Sequence, residues 1–310
     1  MTVTSFLAAA IIAATPLLFA TLGELIAEKS GSLNLGVEGM MLMGAVIGFS
    51  AAYHTGNPVL ALLGAFAAGA LGALIFAVVT VTLQGNQVVT GLTLTIFGTG
   101  FSSFVGDKMI GQSVPKTVQS FFAKIDIPLL GDIPVIGPIF FRQDVFVYLG
   151  YLMVILFSIY LFKTRPGLNV RAVGENTAAA DASGINITFY KYAHIIFGGG
   201  LCGLGGAYLA IVYVPMWQAD VVNGRGWIAV ALVIFAAWNP TKAFLGSFLF
   251  GALSILGMRM QSVNINISQY LLDIVQYVVM IVIVIISTHK NRKEDLPPGN
   301  LSESYFREDR

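Results

Sequence analysis

The sequence predicts an all-α polytopic membrane protein of about nine transmembrane helices, arranged as two inverted four-helix repeats with one helix between them. Three observations predict it. The chain of 310 residues is 56% hydrophobic and only 11% charged, whereas soluble domains carry about 25% charged residues; its mean hydropathy is +0.80. Apolar runs of about twenty residues recur along it, each long enough to cross a hydrocarbon core about 30 Å thick. A segment near the front also returns near the back: Pro58–Leu71 is matched by Pro240–Leu253, preceded by Asn57 and Asn239, with nine identical positions at a constant offset of 182. Gly/Ala-rich helices can coincide by chance. Here the Asn-Pro start and the glycine register agree together, which favours duplication.

The spans read as about 4–24, 37–53, 58–82, 87–106, 144–162, 191–214, 226–238, 242–260 and 268–288. Met1-Thr-Val-Thr lacks the basic region of a secretory signal, so the first run is read as retained. The seventh is short and reads as a broken helix continuing from the Gly-rich segment before it. Repeat one (about 4–106) pairs with repeat two (about 191–288), and 144–162 is the connector.

Basic residues concentrate in cytoplasmic loops. Lys163, Arg165, Arg171 and Lys191 cluster in and beside the loop 163–190, and Lys290, Arg292 and Lys293 follow the last span. Placing both inside puts the N-terminus outside and the polar tail 289–310 in the cytoplasm, where it reads as a mobile end. Pro58 then starts an inward span and Pro240 an outward one, so the repeats are inverted. The excursion 107–142 falls outside. Its Pro115, Pro128, Pro134 and Pro138 argue for an ordered, non-helical segment, either a docking surface for a delivery protein or a passive linker.

Thirty-four glycines suit close helix packing in a membrane. The run Gly198–Gly206 resembles a dinucleotide fingerprint, but it lies in an apolar span and follows no strand, so packing is the better reading. No phosphate-binding Gly-Lys-Ser/Thr loop is present, so the chain is no ATPase by itself. Cys202 is the only cysteine, which excludes an internal disulfide and a thiolate metal site. No catalytic or metal constellation is expected. The net charge of +1 gives no signal for nucleic acid, and none is expected as a partner.

Two segments, Gly31–Gly39 and Val222–Gly226, look broken and occupy equivalent places in the repeats. Irregular backbone at membrane depth is tolerated where it is buried in protein or lines a wet cavity. Asn34, Glu38 and Asn223 are therefore candidates for the substrate path; alternatively the segments are loops with capping residues, Asn34 being a natural N-cap. Phe97, Phe101, Gln84, Asn86 and Trp227 are further candidates for stacking and hydrogen bonding to a purine or ribose. Glu24 and His194 are read near cytoplasmic span ends, where exposure costs little, and Arg259 with Asp273 as an interhelical pair.

The segment Gly23-Glu24 through Glu28-Lys29 to Leu33-Asn34-Leu35-Gly36-Val37-Glu38-Gly39-Met40-Met41 resembles the signature of ABC-importer permeases of the sugar/nucleoside class, most closely the nucleoside (basic-membrane-protein-linked) branch. Arg171–Asn186, Gly224–Ala229 and Trp238-Asn239-Pro240 agree with it. The likeness covers nearly the whole membrane portion. It implies a vitamin-B12-importer-like (type II) permease architecture minus its first helix, in a bacterial plasma membrane. It implies a second homologous permease, a cytoplasmic ATPase of two fused modules and an extracytoplasmic substrate-binding protein as partners. ATP and Mg would be bound by that ATPase, and no cofactor by this chain.

In the loop 163–190, Asn176 can cap a helix through Thr177–Ser183 that stops at Gly184. Two turns are marginal alone, so the helix needs a partner surface. By resemblance it is the coupling helix, with Arg171, Gly174, Glu175, Asn176, Asp181 and Gly184 as the ATPase-coupling residues; the alternative is a solvated loop whose basic residues set topology. The function this implies is a nucleoside importer's membrane subunit worked by alternating access. The alternatives are a sugar or autoinducer permease of the same family, or an ion-coupled secondary transporter.

Overall fold

The computed structural model describes residues 3–262, 274–282, 285 and 296–306. Long apolar helices dominate: α1 (Val3–Lys29), α2 (Val37–Thr55), α3 (Pro58–Ala77), α4 (Gln87–Gly106), the short α5 (Lys116–Phe121) and α6 (Ile136–Phe140), α7 (Val145–Lys163), α8 (Arg165–Glu175), α9 (Thr177–Ala182), α10 (Ile187–Tyr208), α11 (Arg225–Phe235) and α12 (Pro240–Ser262). α3 and α10 each run on into a π-helical turn, Val78–Thr82 and Leu209–Tyr213. Among the described residues six helices are long and apolar enough to cross a membrane. α2 is not among them, and α11 has only 11 residues. The ninth expected span, 268–288, lies mostly outside the described residues. The fold is that of a polytopic helical membrane protein.

α1 and α10 form the centre and run antiparallel. Gly23 faces Gly198, the Cys202 thiol donates to Ala20 O (3.7 Å), and Gly205 faces Pro16. Small residues set the spacing: a Cβ added at Gly69 of α3 would stand 2.9 Å from Gly203 Cα of α10. The backbones meet where side chains would hold them apart. α2 and α3 pack along α10, and α12 and α11 along α1.

The two segments of matching sequence start their helices alike. Asn57 Oδ1 accepts from Val59 N (2.9 Å) and Leu60 N (3.3 Å), while Asn239 Oδ1 accepts from Thr241 N (2.9 Å) and Lys242 N (3.4 Å). They start at opposite ends of the bundle. α3 begins beside the excursion, where Thr117 Oγ1 donates to Gly56 O (3.1 Å). α12 begins at the other end, the end carrying α8 and α9, beside Glu28 and Trp238.

The excursion 107–142 is ordered, but it is not free of helix. α5 starts directly behind Pro115, and a short ribbon pairs Ile125–Asp126 (β1) with Arg142–Gln143 (β2). Proline is well suited to the first turn of a helix, so the expected non-helical course was half right. Arg142 joins Asp126 (3.1 Å) and Asp132 (3.0 Å) there. A large apolar surface that includes Leu63, Leu71, Ile96, Phe104 and Ile155 faces outward, as a lipid-bathed bundle requires.

Candidate functional site

Both broken segments are non-helical only in part: 31–36 and 222–224 lie outside helices, whereas 37–39 open α2 and 225–226 open α11. The first, residues 30–36, folds back into the bundle: Leu33 N donates to Gln87 Oε1 (2.8 Å), Asn34 N to Glu24 Oε1 (2.8 Å) and Gly36 N to Asn34 Oδ1 (2.9 Å), and Leu35 O accepts from Thr95 Oγ1 (3.0 Å). Asn34 is thus a buried turn residue two positions before the helix cap, and Gly36 is the cap. Glu24 is buried, at 1% exposure, and ties the loop in place. The expected exposure near a span end does not occur, because the returning loop covers it. His194 is buried as well, with Nε2 2.8 Å from the Tyr160 hydroxyl.

The second segment, 214–224, carries left-handed backbone at Asp220 (φ 54°), Asn223 (φ 48°) and Gly224 (φ 78°) and delivers α11 with its N-terminus inside the bundle. Glu38, in the first turn of α2, spans the gap between the two broken segments. Gly224 N donates to Glu38 Oε1 (2.8 Å) and Gly226 N to Glu38 Oε2 (2.6 Å). The carboxylate is 6% exposed. It satisfies two amides that a helix start leaves without partners and lies against the positive end of the α11 dipole. Gly226 is required by the close approach, since a Cβ there would stand 2.5 Å from Glu38 Cα. A second carboxylate ties α1 to the start of α12 nearer the α8–α9 end: Trp238 Nε1 donates to Glu28 Oε2 (2.5 Å), with Lys29 Nζ 6.0 Å from the Trp238 ring.

A cavity of about 350 Å³ opens beside the Glu38 clasp, lined by Tyr213, Gln218, Asp220, Asn223 and Arg225 among others. The Arg225 guanidinium lies 5.9 Å from the Tyr213 ring. Of the residues expected along a substrate path, Asn223 lines this cavity and Glu38 meets the backbone directly after it, whereas Asn34 is turned to Glu24, Gly36 and Met40 and does not line it. Trp227 is half-buried in the first turn of α11. Phe97 and Phe101 stack on α4 with centroids 6.1 Å apart. Gln84 and Asn86 lie in the α3–α4 turn, where Asn86 Oδ1 caps α4 through Val89 N (3.0 Å).

The loop 163–190 is two helices. Thr164 Oγ1 accepts from Gly167 N (3.1 Å) and caps α8, which was not expected from the sequence. Asn176 Oδ1 caps α9 through Ala179 N (2.9 Å), and Gly184 ends it with φ 80°. Gly174 packs on the end of α1, where a Cβ would stand 3.1 Å from Gly31 N. Arg171 stacks over Phe162 at 5.5 Å. Glu175, Asn176 and Gly184 are exposed, and Asp181 is half-buried.

Comparison with known proteins decides what class of molecule this is. The family model described as branched-chain amino acid transport system / permease component matches residues 6–284. The chain belongs to that permease family. It is 36% identical over 261 residues to a guanosine ABC transporter permease protein of Bacillus subtilis, covering 80% of this chain and 81% of the relative. It is 34% identical over 284 residues to a nucleoside ABC transporter permease protein of Lactococcus lactis, covering 88% and 89%. A Haloferax volcanii protein provisionally named as a glucose ABC transporter permease is 40% identical over 257 residues, covering 82% and 77%. No solved structure matches the chain.

The permease is therefore a non-catalytic membrane subunit of an ABC importer, which works with an ATPase and a substrate-binding partner. Several residues that organise it carry weak signals in the sequence. Gln87, Trp238 and Gly226 act through partners far away in the chain. The tail carries none at all: residues 296–306 lie against α8, α9 and the α3–α4 turn, although a charged C-terminal stretch reads as mobile. Its backbone is held by Gly31 and Gly174.

Proposed function

We propose that this permease is one half of the membrane pathway of a nucleoside importer, with alternating access driven from α8–α9 by a separate ATPase. The observation that carries this reading is the Glu38 clasp with its adjoining cavity. Two broken helices from the two halves begin at one point inside the bundle, which is where repeat-built transporters hold substrate. The lining supports the substrate class. Tyr213 supplies a ring face for a base, while Gln218, Asn223 and Asp220 supply amide and carboxylate partners for base edges and ribose hydroxyls. Glu38 already occupies the amide end of α11, and Asp220 and Arg225 set one negative against one positive charge in the lining, which suits a neutral nucleoside.

The pairing of α3 on α10 and of α12 on α1, with matching Asn-Pro caps at opposite ends, supports the two inverted repeats and a type II arrangement of about nine spans. In that reading the α8–α9 end and the tail face the cytoplasm, and the N-terminus and the excursion face the exterior of a bacterial plasma membrane. A homologous second permease would complete the path, and a binding protein would dock outside. A glucose permease is the second reading, favoured by the Haloferax relative. The test is uptake of labelled guanosine, adenosine, uridine and glucose by the assembled transporter in proteoliposomes. Nucleoside uptake competed by other nucleosides and not by glucose supports the proposal. Glucose uptake that nucleosides do not inhibit overturns it in favour of the sugar.

A further inference from the structure

We propose that residues 299–305 form a strap that delivers movement of α9 to the first repeat, making Asn300 and Tyr305 positioning residues for transport. The strap rests on the reading of α8–α9 as the ATPase-facing surface. It binds three separate loops at one end of the bundle. To α8–α9, Asn300 N donates to Gly174 O (2.9 Å), Asn300 Oδ1 accepts from Thr177 N (3.0 Å), and the Tyr305 hydroxyl donates to Asp181 Oδ2 (2.7 Å). To the loop after α1, Ser302 N donates to Gly31 O (3.3 Å). To the α3–α4 turn, Gln84 Nε2 donates to Tyr305 O (3.0 Å).

Apolar anchors back these bonds. Leu301 packs on the main core, and Tyr305 packs beside Val173, Ala180 and Ile187. The fit is close at both edges, since a Cβ at Gly31 would lie 3.3 Å from Asn300 O and one at Gly299 would lie 2.6 Å from Glu175 O.

Without the strap, α9 would be a helix of six residues packed on α8 and the start of α10 through Ala180, and a push on it would reach the first repeat only through them. With it, α9 and Gly31 are joined through the turn Asn300–Ser302, closed by Leu301 N donating to Pro298 O (3.0 Å) and Glu303 N to Asn300 O (3.2 Å). Gly31 begins the loop that carries Asn34 and leads directly into Glu38. The bonds therefore run from the driven surface to the clasp without passing through the α8–α1 contact alone.

The test uses the assembled transporter with Tyr305→Phe, Asn300→Ala and a stop after residue 296, measuring ATP hydrolysis and uptake on the same vesicles. Loss of a charge-assisted bond predicts that uptake per ATP falls about tenfold for Tyr305→Phe, with hydrolysis retained. In an Asp181→Asn background, Tyr305→Phe should add little. Unchanged uptake per ATP in all three overturns the strap, as does a fall in hydrolysis and uptake together. An α9 variant, Ala179→Trp, separates the two ideas. If it leaves coupling intact, the α8–α9 reading fails; if it uncouples while the tail variants do not, the strap alone fails.

Discussion

Glu38→Ala is the sharpest perturbation of this permease. The substitution removes the acceptor for Gly224 N and Gly226 N, at 2.8 and 2.6 Å, in a site only 6% exposed. A buried amide left unpaired costs about 1–3 kcal/mol. Two of them, with the lost carboxylate at a helix N-terminus worth up to ~2 kcal/mol, give about 2–8 kcal/mol. Glu38→Gln keeps one acceptor oxygen but turns an NH₂ toward the second amide, and should cost roughly half as much. The protein carries its own reporter: Cys202 is the only cysteine and is fully buried. Its reaction with a fluorogenic thiol reagent in detergent reads opening of the core. A loss of 3 kcal/mol raises the open fraction about 100-fold, so modification should accelerate by that order for Glu38→Ala and by about tenfold for Glu38→Gln. Wild-type protection of Cys202 in Glu38→Ala would refute the clasp.

The other predictions use the same reasoning. Trp238→Phe leaves Glu28 Oε2 without its 2.5 Å donor in a buried site, and should cost about 1–3 kcal/mol by the Cys202 assay; no acceleration would argue against the pair. Gly174→Val forces the end of α1 away from α8, because even a Cβ would stand 3.1 Å from Gly31 N. It should hydrolyse ATP without proportionate uptake, and wild-type transport in proteoliposomes would contradict that. In a Cys202→Ser background, Ser183→Cys should react with a membrane-impermeant thiol reagent only from the cytoplasmic side and Gly111→Cys only from outside; the reverse pattern would invert the proposed orientation.

Much of the fold could be read from the sequence because its signals are local. Asn57 and Asn239 both cap the helices that follow their prolines, and Asn176 and Gly184 bound α9 where a two-turn helix is expected. The glycine run of α10 packs against α1, α2 and α3 as close-packing residues do. α8 was missed because its polar composition hides it from a search for apolar runs, although Thr164 followed by Pro166 is a usable start signal. The site was legible only in outline. Glu38 and Asn223 were marked by their position in broken segments, yet nothing local says that Glu38 meets amides 186 and 188 residues away. Tyr213, Gln218 and Asp220 have no motif, and they become neighbours only because the segment 214–224 leaves helical geometry.

On the proposed reading, the clasp and the strap answer one mechanical requirement. An alternating path needs two halves that move as units and a joint between them that can change. Glycine-to-glycine packing of α1, α3 and α10 makes the centre stiff, because backbones in contact have no side chain left to repack. On this reading the adjustable element is the non-helical loop 30–36, which is held to its surroundings by directed hydrogen bonds at Gly31, Leu33, Asn34 and Leu35. Hydrogen bonds to carboxylate and amide groups exchange partners at modest net cost, whereas separating a close-packed interface exposes its whole area. A displacement arriving at Gly31 would therefore be taken up by this loop, and the first group downstream able to feel it is Glu38. The joint is thus placed where a single carboxylate holds the start of one half-helix to the start of the other.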